Sequence, residues 1–121
     1  IDSQTGWAAG DAGVILKTTN SGTNWISQSI SNSNYIRSIY TIDSQTGWIV
    51  GDNATLNGTI LKTTNGGTNW ILQTNPTTLS LMSVYFENSQ VGWTVGYYGS
   101  ILSTTNGGAV FISKISTEIL K

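Results

Sequence analysis

Cysteine and histidine are both absent from this chain. Without cysteine there is no disulfide framework and no thiolate metal site. Without histidine there is no side chain whose ordinary titration falls near neutral pH, so the commonest general base and metal ligand is missing. Charge is scarce as well: 9% of residues are charged, against roughly 25% in an average globular domain. Five cationic residues are scattered along the chain and the net charge is −1. No basic run exists to neutralise phosphates, which excludes nucleic acid and anionic membrane surfaces as expected partners. No apolar run approaches the roughly 20 residues of a membrane-spanning helix, so membrane insertion is not expected. The single proline, Pro76, lies between repeated segments, where it interrupts no strand ladder.

Serine, threonine, asparagine and glycine take the place of charge. They are interleaved with five tryptophans and many β-branched residues, a mixture that favours packed β structure over disorder. Weakly charged, hydroxyl-rich surfaces accompany secreted and cell-surface proteins, so an extracellular location is expected. At 121 residues the chain is sized for one small domain. It opens inside a repeat and without an initiator methionine, as a processed or partial polypeptide would.

The repeat is the dominant signal. "IDSQTGWAAGDAGVILKTTNSGTNW" is followed by "IDSQTGWIVGDNATLNGTILKTTNGGTNW" and then "ENSQVGWTVGYYGSILSTTNGGAVF". Repeat 1 covers residues 1–41, repeat 2 covers 42–86 and repeat 3 covers 87–121 of a single domain, 1–121. Gly-Trp pairs stand at Gly6-Trp7, Gly47-Trp48 and Gly92-Trp93. The longer second copy carries its extra residues in "NATLNG", as a hairpin loop does. "RSIYT" and "MSVYF" alternate like half-buried strands. "GWIVG", "TILKTT" and "TNWILQ" supply three further strands, separated by glycine-bearing turns. No window has useful helical periodicity. The chain therefore reads as all-β: three four-stranded antiparallel meanders, each the size of a propeller blade. The first blade lacks the strand equivalent to "RSIYT". The apolar tail of "FISKISTEILK" could supply it, in the same chain or in a neighbour.

Three phrases carry a family resemblance. Thr18-x-Asn20-x-Gly22-x-x-Trp25, Thr63-x-Asn65-x-Gly67-x-x-Trp70 and Thr104-x-Asn106-x-Gly108-x-x-Phe111 resemble the Asp-box, or bacterial neuraminidase repeat. With the preceding Gly-Trp blocks, the units look like β-propeller blades of the photosystem II assembly-factor type. The resemblance implies that each phrase is a hairpin between the third and fourth strands of a blade. Asn replaces the family's usual Asp in all three copies, and Phe111 replaces Trp in the third. Physically, the asparagine oxygen can cap backbone amides of the turn. The glycine can take a positive φ, and Trp25 and Trp70 are expected to fold back and bury roughly 150–250 Å² each. The reading is of a fold-making device rather than a catalytic site. Trp7, Trp48 and Trp93, recurring at one blade position, read as core wedges.

Catalysis is not expected. Sialidases share the motif but use an arginine triad to grip a carboxylate; this chain has Arg37 alone. The acidic residues are Asp2, Asp11, Asp43, Asp52, Glu87 and Glu118. Asp2 and Asp43 are repeat equivalents, as are Asp11 and Asp52, which marks them as turn residues rather than a paired acid and base. No catalytic, cofactor or metal residue is assigned. The candidate ligand patch is Tyr97 and Tyr98 together with the Asp11 and Asp52 turns, because Tyr97-Tyr98 replaces Asp11-Ala12 and Asp52-Asn53 in the third copy. The expected function is a non-catalytic structural or interaction module. Three blades fall short of the 4 to 8 that close a propeller, so self-association into a ring or filament is expected. The alternatives are a carbohydrate-binding module using exposed aromatics and a photosystem II assembly-factor-like scaffold. The expected partners are a second copy of the chain, a protein or a glycan.

Overall fold

The computed structural model describes residues 4–10, 13–28, 35–53, 55, 57–76 and 78–113. Their strands form three antiparallel sheets, completed one after another along the chain. The first holds β1 (Gly6–Ala9), β2 (Ile15–Thr18) and β3 (Ile26–Ser27). The second holds β4 (Tyr35–Thr41), β5 (Gly47–Asp52), β6 (Gly58–Thr63) and β7 (Ile71–Leu72). The third holds β8 (Leu81–Phe86), β9 (Gly92–Gly96), β10 (Ile101–Thr104) and β11 (Ile112–Ser113). In each sheet spatial order follows chain order, so each is a meander. A 3-10 turn, Tyr97–Gly99, connects β9 to β10.

The sheets straddle the sequence repeats. The first strand of each four-stranded sheet, β4 or β8, comes from the tail of the preceding repeat. Both four-stranded sheets carry a register shift at the same place, between Ile36 and Ser38 and between Leu81 and Ser83. The two blades are thus built to one plan down to a local irregularity. The outermost strand is shorter than "TNWILQ" suggests. Only Ile71 and Leu72 pair with β6. Both are exposed, and the strand has a neighbour on one side only, so little burial holds more of it to the sheet. The equivalent of β4 is absent from the first sheet among the described residues. The tail proposed to supply it, residues 114–121, lies outside the described residues.

The core lies between sheets rather than within them, because alternate residues of one strand face opposite ways. On β5, Ile49 packs toward the first blade, in a cluster with Ile15, Ile36 and Leu61. Trp48 and Val50 pack toward the third blade, with Ile60, Leu81, Val84, Phe86, Leu102 and Phe111. Each fully buried side chain of this kind contributes about 1.5–3 kcal/mol. The middle blade is therefore apolar on both faces, and all six residues of β5 are buried.

Candidate functional site

The three repeated hairpins share one hydrogen-bond plan. In the second, the Thr63 hydroxyl donates to Asn65 Oδ1 at 3.0 Å and accepts from the Gly67 amide at 2.9 Å. Asn65 Oδ1 also accepts from the Asn69 amide at 2.9 Å, and Asn65 Nδ2 donates to Asn69 Oδ1 at 3.0 Å. Thr18, Asn20, Gly22 and Asn24 repeat this in the first hairpin. Thr104, Asn106 and Gly108 repeat the core of it in the third, where Asn106 Oδ1 accepts from the Val110 amide. The asparagine uses both ends of its amide in the first two copies, which a carboxylate in the same place could not do. The threonine is the pivot: Thr18, Thr63 and Thr104 are all buried, each linking the end of a strand to its turn.

The glycine of each hairpin makes a joint between blades. A Cβ on Gly67 would lie 2.7 Å from the Trp7 ring, and one on Gly108 would lie 3.1 Å from Trp48 Nε1. Both glycines also sit at positive φ. The space a side chain would need is filled by the Gly-Trp tryptophan of the preceding blade, joined at Gly67 by the side-chain amide of Gln28. Trp48 is fully buried, stacks on Phe86 with centroids 3.5 Å apart, and donates Nε1–H to the Gly107 carbonyl at 2.9 Å. Trp7 meets Trp70 edge to face at 5.9 Å. Lysine reinforces the first joint. Lys17 Nζ lies 4.7 Å over the Trp7 ring and donates to the Gly66 carbonyl at 3.1 Å. Sequence reasoning passed over Lys17 and Lys62, although "ILKT" recurs at both and becomes "ILST" in the third copy.

Two expectations are corrected. Trp25 does not bury itself: it is 45% exposed. Trp70 and Phe111 at the same position are covered because a preceding blade supplies a tryptophan and apolar neighbours. No described blade precedes the first, and the Gly22 position meets only the ring of Trp25 itself. An open hollow of about 270 Å³ remains there, lined by Gln4, Gly6, Ser21, Gly22 and Trp25 among others. Asp52, placed in the candidate ligand patch, is instead the last residue of β5 and is fully buried. Arg37 Nε holds its Oδ2 at 3.1 Å and Nη2 approaches its Oδ1 at 3.4 Å. A buried carboxylate needs such a partner, so Asp52 serves the fold. Asp11 lies outside the described residues. Tyr97 and Tyr98 are exposed on the 3-10 turn, Tyr98 by 90%, and they contact each other edge to face. They remain as an exposed aromatic pair, and the buried Asp52 is not part of an exposed patch with them.

The far end of the row mirrors the near end. On the third blade Trp93, Val95 and Ile101 occupy the positions of Trp48, Val50 and Ile60 on the second, by ladder register. The latter three are fully buried. The former are 37%, 42% and 39% exposed. Tyr85, stacked on Trp93 at 6.2 Å, extends the same face and is 53% exposed. Four apolar side chains thus stand side by side in solvent, on the face that in both other blades meets the next sheet.

No protein-family model and no curated protein matches the chain. Among solved structures it is similar to "YCF48 bound to D1 peptide", with a TM-score of 0.76 and 20% identity over 93% of this chain and 38% of that one. It is also similar to YCF48 from Cyanidioschyzon merolae, with a TM-score of 0.72 and 20% identity over 91% of this chain and 35% of that one. The chain thus spans little more than a third of the length of those proteins. The fold is that of three successive β-propeller blades.

Proposed function

We propose that this chain is a non-catalytic β-propeller module that works by contact with other polypeptides, and that it associates with itself. The observation that carries the reading is the exposed apolar face of Tyr85, Trp93, Val95 and Ile101. Contiguous apolar surface of this kind marks an interface. The ionisable side chains described above serve the fold: Arg37 is paired to Asp52, and Lys17 bridges two blades. That distribution supports a scaffold over an enzyme. We assign the three threonine–asparagine–glycine hairpins to the Asp-box type, on their sequence and their shared hydrogen-bond plan. The weakly charged, hydroxyl-rich surface supports a location outside the cytoplasm. Light scattering after gel filtration tests the reading. The expected mass at micromolar concentration is a multiple of the 12.9 kDa chain; a stable, folded species of one-chain mass overturns self-association.

A second reading follows from the fold similarity: a photosystem II assembly-factor-like scaffold that holds a peptide, as the D1 peptide is bound in one of the similar structures. A third, a glycan-binding module, draws on the exposed Tyr97-Tyr98 pair. Binding of a labelled peptide or of a glycan array separates these two, and Tyr98→Ala abolishes only the glycan signal.

A further inference from the structure

We infer that the hollow at Gly22 is the seat for Trp93 of a second copy, so that chains join head to tail through a third version of the joint already made twice within each chain. The inference deepens the proposed self-association and rests on it.

Two buried joints within the chain define what such a joint requires. One side offers a Gly-Trp tryptophan with one apolar neighbour on its own strand and one on the next: Trp7, Ala9 and Ile15, or Trp48, Val50 and Ile60. The other side offers a hairpin glycine at positive φ whose missing side chain admits the ring, together with a leucine and an aromatic residue. These are Gly67 with Leu61 and Trp70, or Gly108 with Leu102 and Phe111. Each end of the chain carries one unmatched half. The third blade offers Trp93, Val95 and Ile101, all more than a third exposed. The first blade offers Gly22 at φ +87, half-buried Leu16 and Trp25 beside an open hollow. The residue types match position for position, and the hollow at Gly22 lies where the other two hairpins receive an indole. The second internal joint adds an indole bond, Trp48 Nε1–H to the Gly107 carbonyl, whereas in the first the equivalent Gly66 carbonyl accepts from Lys17 and Gln28.

A second copy is the occupant of choice because it supplies both halves at once. The contact is heterologous, so it closes into a ring or runs on as a filament. Two copies give six blades, within the 4 to 8 at which propellers typically close. The low net charge of −1 per chain sets up little repulsion between copies.

The test uses two variants, one for each flank. Val95→Lys places a charge on the leading face, and Trp25→Lys places one in the receiving hollow. Both positions are more than a third exposed in the single chain, so each variant is expected to keep the wild-type circular dichroism spectrum. Ile101→Lys and Ala8→Lys replace either one that does not. Each variant alone is expected to fall to one-chain mass. Mixed in equal amounts they are expected to form a species of two chains and no larger, since the mixture holds one intact leading face and one intact hollow. An assembled wild type whose mass neither variant changes refutes this joint while leaving self-association standing. A mixture that stays at one-chain mass refutes the head-to-tail arrangement. A wild type of one-chain mass refutes both, and the flanks then belong to further blades or to another protein.

Discussion

Trp48 and Trp93 occupy the same position in two blades and differ in what covers them, so truncating each isolates the value of the joint. Trp48 is fully buried, stacked on Phe86 and bonded to the Gly107 carbonyl. An indole buries about 200 Å², which at ~25 cal/mol per Å² amounts to about 5 kcal/mol. The bond to Gly107 adds about 1 kcal/mol, because its loss strands a carbonyl. Partial collapse of the cavity offsets some of this, so Trp48→Ala should cost about 5 kcal/mol, the top of the range for such truncations. Trp93 is 37% exposed, so the same substitution forfeits less area and no joint: about 2–3 kcal/mol by the same coefficient. Urea unfolding followed by tryptophan fluorescence reads the difference. With a slope of ~1–2 kcal/mol per molar for a chain of this size, the two midpoints separate by roughly 1–3 M. The measurement belongs at a concentration where the wild type is a single chain. Raising the concentration into the assembling range should then increase the cost at Trp93 and leave that at Trp48 unchanged. Equal costs at both positions in the single chain would refute the view that the joint, rather than the blade, buries the indole.

Ser21 sits at φ 61, where the other hairpins have Gly66 and Gly107; Ser21→Gly should relieve this and raise stability by about 0.5–1 kcal/mol, or roughly 2–5 °C in a thermal melt. Thr63→Ala should cost about 2 kcal/mol in a denaturant titration, since it leaves the buried Gly67 amide without its acceptor, whereas Thr63→Ser should recover most of the loss. Arg37→Ala should cost about 3 kcal/mol by leaving the Asp52 carboxylate buried without its cation, and Arg37→Ala with Asp52→Asn should be the milder change; a double variant worse than the single would argue against the pair. Ser103→Lys restores the lysine that the first two blades carry, and is expected to tighten self-association by offering the hairpin carbonyl of a second copy the bond Lys17 gives Gly66, seen as a lower dissociation constant in sedimentation.

Much of the fold was legible because it is written three times. One copy of "TTNGGTNW" would be an ambiguous turn, but three copies behind three Gly-Trp pairs fix a period, and the alternation in "RSIYT" and "MSVYF" fixes strands on that period. The hairpin bonds of Asn20, Asn65 and Asn106 follow from side-chain chemistry local to the turn. What could not be read was anything that depends on which face a neighbour covers. Trp25 and Trp70 stand in the same phrase, yet one is open and the other packed, because burial there is decided by a residue some sixty positions away in the neighbouring blade, as Trp48 and Gly107 show. Asp52 looked like its repeat equivalent Asp11. It is buried and paired to Arg37, at the register shift of β4, where Met82 stands at the matching place in β8. Differences between repeats carry that information, and similarity conceals it.

Because Trp7 and Trp48 are each seated in the hairpin glycine of the following blade, the smallest self-sufficient unit is a pair of adjoining half-blades, and the blade itself is only a topological grouping. Cooperativity then runs along the row in nearest-neighbour fashion, as in solenoids. The middle blade, locked through both faces, should exchange its amide hydrogens last, and the short exposed edge strands β3 and β11 of the two end blades should exchange first. It also bears on how such chains lengthen: a duplicated segment is stabilising wherever it is inserted, provided its cut points preserve one tryptophan and one receiving glycine. The frame in which the sequence repeats, with the strand pair β4 and β5 split across its boundary, satisfies that condition, and it ties neighbouring sheets together by the covalent chain as well as by the seated ring.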